Sequence, residues 1–363
     1  MGSPVAKFPS YARLAFILLI SCVILAIVYL GQHVLIPLSL ALLFAILLRP
    51  VANFFHTKLR FPYVLAVLVS VILFVILIAA IIVLVSWQVA DMTDDWNKIK
   101  GNLALHFHNA QVWIKNRFHV SYSKQQDYID HLREETLKSD TELMGDTITS
   151  FTDTLLMIVL IPIYTFLILL YQNLFVKFLY EVINERHIGT LREILVEVKI
   201  VVQSYIVGLM IEMALVAFLT ITGLMLLGVQ YAILLGLITA ILNLIPYLGI
   251  MTAAVITIVA SLGSSGELSM IVGIIGLNIV VQLIDNNLIV PKIVGNKVRI
   301  NALATMVGVI AGGSISGISG MVLSIPLIAI VKVIFDHIQP LKPWGSLLGN
   351  AVPEKFAPPS PNI

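Results

Sequence analysis

The stretch VQLIDNNLIVPKIVGNKVRIN (281–301) closes an apolar run with Asp285, Asn286 and Asn287, then Pro291, then the cations Lys292, Lys297 and Arg299. The side of a bilayer that receives those cations decides the fold. The rest of the chain is membrane-like. Of 363 residues, 59% are hydrophobic and 12% charged, half the charged share of an ordinary soluble domain, and the mean hydropathy is +1.00. A soluble chain of this length could not bury so much apolar surface, so the class is an all-α integral membrane protein. A net charge of +2, with no basic–aromatic patch, gives no purchase to nucleic acid. The single cysteine, Cys22, sits inside an apolar run and makes neither a disulfide nor a metal or redox motif.

About 20 apolar residues cross a bilayer core as helix. Qualifying runs are 11–31, 34–52, 62–86, 151–171, 202–227, 231–262, 268–284 and 302–335. Lys7 and Arg13 precede the first run as in a signal peptide, but no small-x-small cleavage site follows, so it reads as a retained span. Residues 87–150 carry ten acids and seven bases and read as a mainly helical insert in water. Residues 173–200 alternate Phe175, Phe178, Leu179, Val182 and Ile183 with charges, the pattern of an amphipathic helix lying on the membrane surface or on a partner helix.

The lysines and arginines of short loops set the orientation. Placing Lys7, Arg13, Arg49, Lys58, Arg60, Lys177, Arg186, Arg192 and Lys199 in the cytoplasm puts the insert outside and both termini inside. As single helices, 231–262 and 302–335 would be about 48 and 51 Å long, well beyond the hydrocarbon core. Each has a breaker near its middle: Asn243-Leu-Ile-Pro246-Tyr247-Leu-Gly249 in one, Gly312-Gly313-Ser314-Ile-Ser316-Gly-Ile-Ser-Gly320 in the other. If both fold back as re-entrant hairpins there are about six full spans, and Lys292, Lys297 and Arg299 fall inside, as the positive-inside rule prefers. Eight plain spans are the alternative. Hairpins from opposite faces bring their tips together near the midplane, where broken helices are tolerated only against protein or a cavity. The chain then divides into spans 1–86, an outer insert 87–150, a span with its surface helix 151–200, a transport core 201–340 and a cytoplasmic tail 341–363.

Glu212 lies in VGLMIEMALVAF with apolar residues on both sides. A carboxylate at that depth is protonated, paired or beside water, which makes it a candidate proton or cation site; a helix–helix hydrogen bond is the plainer alternative. Asn278, Gln282 and Asp285 share one helix face at i, i+4 and i+7, a stripe that lipid would not accept. Asp285 lies near an expected helix C-terminus, where the macrodipole disfavours an anion and a cation such as Lys292 or Arg299 would offset it. An interfacial cap and a turn ended by Pro291 explains the same residues without function. Gly312, Gly313, Ser314 and Ser316 suit a hairpin tip that offers backbone and hydroxyl groups to a small polar solute, or close packing through small residues. Pro246 frees carbonyls, and Asn243 and Tyr247 can line a site. Gly317-Ile-Ser319-Gly320 matches the GxSG of intramembrane serine proteases, yet no histidine falls mid-span to serve as base, so no enzyme is expected. His106, His108 and His131 lack ligand spacing, and no nucleotide or cofactor motif is present.

NLIPYLG (243–249), VQLIDNNLIVPKIVG (281–295) and the GG…SG…SIPLIAIVKVIF end (312–335) resemble the autoinducer-2 exporter family of permeases, over nearly the whole chain. The resemblance implies a transporter of the bacterial inner membrane, not driven by ATP and assembled from identical subunits, five by family resemblance. It also implies export of an autoinducer-2-like signal in quorum sensing, or sodium or lithium/proton antiport. The family motifs fall here on Pro246, Tyr247, Gly249, Asp285, Asn287, Pro291 and Gly313. Two positions depart: Asn301-Ala302 replaces a His-Pro step, and Tyr171-Gln172-Asn173 replaces a Lys-Asp pair. The expected function is therefore alternating-access transport of a small polar solute, with sodium/proton antiport and a non-transporting membrane scaffold as alternatives.

Overall fold

The computed structural model describes residues 10–118, 121, 157–245, 248–264, 268–293 and 300–349. Among them every regular element is helical. In chain order these are α1 (Ser10–Leu30), α2 (Gln32–Thr57), α3 (Tyr63–Asp94), α4 (Trp96–Phe118), α5 (Met157–Val182), α6 (Ile188–Leu226), α7 (Ala232–Leu242), α8 (Leu248–Ser264), α9 (Leu268–Ile284), α10 (Ala302–His337) and α11 (Lys342–Leu348). Six, namely α2, α3, α5, α6 joined to its preceding turn, α9 with its extension and α10, are long and apolar enough to cross a membrane. The all-α membrane class holds.

The first two apolar runs are joined almost directly: Gly31 alone separates α1 from α2, its N–H donating to Ile27 O and its carbonyl accepting from Val34 and Leu35 N–H. One expectation changes. The amphipathic stretch 173–200 is not one surface helix. Its first part completes α5, a 3-10 turn follows at Glu185–His187, and the remainder opens α6. At 39 residues, α6 is about 58 Å long, so its charged first turns stand clear of the hydrocarbon. The Lys177–Glu181 pair at 3.7 Å is exposed on that side. In the described part of the insert, α4 is helical and packs along α8. The insert beyond 118, except position 121, lies outside the described residues, as do His131, Lys297, Arg299 and the tail past 349.

The long runs do fold back. In the first, Ala232 and Leu235 of α7 share a buried cluster with Ala260 near the far end of α8, so the two helices are antiparallel. The turn between them is tight at Gly249, where a Cβ would lie 1.7 Å from Leu242 O. The cluster also takes in Met92, Leu224, Ile274 and Met270, so this mouth sits where α3 and α6 end and α9 begins. In the second run, Ser316 (φ −143°, ψ 22°) and Gly317 (φ 58°, ψ −141°) break α10 into two limbs. The positive φ at Gly317 is one that side chains resist. Gly312 meets Gly320 backbone to backbone, and Ser324 Oγ donates to Gly308 O at 2.8 Å across the limbs. Its mouth faces the opposite end of the bundle: His337 Nε2 lies 3.3 Å from Glu197 Oε2, near the start of α6. Ile245, close to the first tip, packs with Val309 and Leu323 of the second hairpin. Two opposed re-entrant hairpins thus replace the eight-span alternative.

Both departures from the family pattern carry structural bonds. Asn301 caps α10, its Oδ1 accepting from Ala304 N–H at 2.7 Å, while its Nδ2 donates to Leu347 O at 2.6 Å and Gly349 O at 3.2 Å, tying α11 to the second mouth. Gln172 Nε2 donates to the Tyr63 hydroxyl, which donates to Leu169 O at 2.9 Å and joins α3 to α5.

Where α3 ends, Asp95, in the bend between α3 and α4, accepts from the Tyr231 hydroxyl and from Gln230 Nε2 at 2.8 Å. The Tyr231 hydroxyl holds the Asp95 carboxyl below its ordinary value, whereas desolvation and then that carboxylate push Tyr231 up to about 12. A depressed acid contributes above its ordinary pKa and loses that contribution as pH falls through the lowered one; a raised phenol contributes below its ordinary pKa and loses it as pH rises through about 12. Protection of the amides around 229–232 should therefore stay level from about pH 5 to about pH 9 in corrected hydrogen exchange. Tyr231→Phe should lower it throughout that range. In the first tip, Gly249→Ala should destabilise by about 1–3 kcal/mol, read as a lower midpoint of thermal unfolding in detergent.

Candidate functional site

The centre of the molecule is polar. Glu212 on α6 and Asp285 at the end of α9 are 7% and 3% exposed. Asn243, at the end of α7 in the first hairpin, reaches both: its Nδ2 donates to Glu212 Oε1 at 3.1 Å and to Asp285 Oδ2 at 3.3 Å. Local sequence explains each placement. α7 stops after Leu242, and its last turns tighten through Leu244 N–H to Ile241 O and Ile245 N–H to Leu242 O, which leaves Asn243 at the tip facing inward. α9 does not end at Asp285 as the sequence suggested. It passes through a π turn, Asp285–Ile289, and continues over Val290–Ile293, so Pro291 lies inside the last turn. A π turn inserts a residue into the helical register, a distortion common at functional sites. It keeps Asp285 and Ile289 buried while Asn286 and Asn287 face out.

The sequence points to a site between the two tips lined by Asn243, Tyr247, Gln282, Asp285 and Ser314, with Glu212 as the coupling acid; α6, α7 and α9 bring Glu212, Asn243 and Asp285 together, and Gln282 and Asn278 lie one and two turns before Asp285 on α9. Among the described residues Asp285 Oδ2 accepts from the Asn243 amide; Lys292 is exposed, and Arg299 lies outside the described residues. Asn287 donates to Leu283 O at 2.8 Å on its own helix, and Asn286 and Pro291 are exposed at its end, so none of the three reaches the acids. Gly249 serves the tip turn. Pro246 and Tyr247 lie outside the described residues.

Gly312, Gly313, Ser314 and Ser316 belong elsewhere. Ser314 is exposed and bonds back to Ile310 O at 2.9 Å. Gly313 packs on Met321. Gly312 and Ser316, with Gly320 and Ser324, border a separate cleft of about 240 Å³ whose other wall is Val28, Gln32, Leu35, Ile36 and Ser39 of α1 and α2. The single site expected between the two tips is therefore two places, with the Ile245–Val309–Leu323 contact between them. Gln32 and Ser39 escaped the sequence reading because they sit in a loop and in a run read as plain span. Their spacing of seven residues along the helix was the available signal.

With this arrangement in view, the comparisons are decisive on kinship. The family model for AI-2E family transporters matches residues 17–339. The chain belongs to that family. It is similar to YueF of Bacillus subtilis, 25% identical over 312 residues that span 83% of each chain. YhhT of Escherichia coli K12 is 23% identical over 340 residues, 93% of this chain and 94% of its own. Both are named provisionally as transport proteins. TqsA of Escherichia coli K12, named an AI-2 transport protein, is 31% identical over 111 residues, 31% of this chain and 32% of its own. Family and fold together make this a multi-pass membrane transporter.

Asn243 answers two acids, so its removal should cost more when both are present. Asn243→Leu should destabilise by about 1–3 kcal/mol in the native chain, and by clearly less in a Glu212→Gln/Asp285→Asn background. Thermal unfolding of the four proteins in detergent measures the difference.

Proposed function

We propose that the chain is a secondary transporter of the bacterial inner membrane that moves a small polar solute by alternating access, coupled to protons or a monovalent cation at Glu212 and Asp285. The observation that carries the coupling is the Asn243 amide shared by two buried carboxylates. Two negative charges so close at membrane depth need a proton or a cation between them, which is the requirement of an ion-coupled cycle. Asn243 rides on a hairpin that enters from one face, so ion occupancy and the position of that hairpin are linked through two hydrogen bonds.

The solute is assigned to the cleft beside the second hairpin. Its volume suits a small molecule, and Gln32, Ser39 and Ser316 supply hydrogen-bonding groups among apolar walls. An autoinducer-2-like signal fits this class, and TqsA is named for one. Sodium/proton antiport without a solute is the second reading, favoured by the acid pair itself.

Purified protein in vesicles that carry a pH-sensitive dye separates the readings. Proton movement on a sodium pulse without solute supports antiport; movement only when solute is added supports coupled solute transport. In either case Glu212→Gln should abolish proton movement and Asp285→Asn should reduce it at least about tenfold. Native rates in both variants would remove the acid pair from the mechanism.

A further inference from the structure

Thr220 stands apart from the other buried threonines among the described residues. Thr165, Thr239 and Thr257 each donate to the carbonyl four residues back, at 2.7, 2.7 and 2.8 Å. Thr220, only 2% exposed, has no hydrogen-bond partner for its hydroxyl among the described residues. Across from it the same is true of Asn278 Nδ2, Gln282 Nε2 and Asp285 Oδ1. Buried polar atoms are nearly always answered by protein or by ordered water, so four in one place need an explanation.

Their register supplies one. α6 and α9 are antiparallel, and three pairs fix how they face each other. Leu277 fills the space left by Gly223, where a Cβ would lie 2.2 Å from its Cδ1. Val216 and Val281 belong to one buried cluster, and Glu212 and Asp285 share Asn243. In that register Thr220 is level with Asn278, and Gln282 lies between that level and the acids. The polar atoms form a seam that climbs from the acid pair toward the end where α6 stops and α9 begins, the outer end by loop charge. From Glu212 to Thr220 it rises about 12 Å. Beyond Thr220 and Asn278 the buried cluster of Leu224, Val229 and Ile274 closes the seam in this conformation, and toward the other face the acids meet a second block, in which Val202, Tyr205 and Ile206 pack with Ile245, Val309 and Leu323.

We propose that the α6–α9 seam of Thr220, Asn278 and Gln282 is the outer half of the ion pathway, a hydrated file through which protons or a monovalent cation reach Glu212 and Asp285 from outside. This rests on the coupling role proposed for that pair. Water bonded to the Thr220 hydroxyl and to the two amides completes their hydrogen bonds and leads to Asp285 Oδ1, the oxygen that Asn243 leaves unbonded. The seam contributes no charge of its own, so it conducts toward the acids without competing for the ion.

The test replaces polarity at nearly constant shape in the full chain, with Thr220→Val, Asn278→Leu and Gln282→Met combined. In dye-loaded vesicles the triple variant should move protons about tenfold more slowly than the native protein, and Thr220→Ser alone should keep the native rate. If the triple variant keeps that rate while Glu212→Gln is silent, the seam is overturned and the coupling role stands. If Glu212→Gln also runs at the native rate, both fall. A second measurement does not depend on the triple variant folding. Thr220→Cys in a Cys22→Ser chain should react with a membrane-impermeant cationic thiol reagent added outside. Reaction from the cytoplasmic side alone, or from neither side, overturns the proposal.

Discussion

Hydrocarbon offers no partner to a polar group, so each one in the bilayer must be answered from within the protein. Asn243 answers two carboxylates from one amide nitrogen, and the neighbouring architecture follows from getting it there. α7 has to stop at mid-depth rather than cross. The chain must then reverse at once, which needs a backbone without a Cβ at Gly249. α9 must hold Asp285 inward and still continue to Ile293, which the π turn permits. A straight α7–α8 helix would leave Glu212 and Asp285 facing each other with nothing between.

How much of this the sequence revealed depended on the length scale of the signal. Excess length betrayed the hairpins, because 34 apolar residues cannot be one span and Gly312–Gly320 marks where they fold. Glu212 and the Asn278–Gln282–Asp285 stripe stood out because a charge or a polar row among leucines has few uses. The shortness of the junction at Gly31 is not legible: a glycine between two apolar runs reads as a loop, whereas a single residue separates α1 from α2. The surface helix was misread for a related reason. Alternating charge reports that a segment meets water, not whether it lies flat or projects as the end of a long helix, as α6 does. Asn243 itself was noted as able to line a site, but its partners lie 31 and 42 residues away, and no local pattern encodes that meeting.

The two hairpins share a shape and differ in chemistry. The first presents an amide to two acids and is tied at its base by Asp95 and Tyr231. The second closes on itself, Gly312 against Gly320 and Ser324 onto Gly308, with Ser314 bonded to its own backbone and Ser316 left to the cleft. A hairpin held by bonds between its own limbs has no hydrogen bond to α1 or α2 to break, among the described residues, when it shifts against them. A hairpin whose amide is shared with carboxylates on two other helices cannot shift until those bonds are exchanged for others. In the proposed cycle, movement of the first hairpin is therefore conditional on what occupies Glu212 and Asp285, whereas movement of the second is conditional on packing. The Ile245–Val309–Leu323 contact is where the conditional element touches the free one. In the proposed cycle, ion occupancy on one side of that contact bears on the cleft on the other through three apolar side chains, with no polar link required between them.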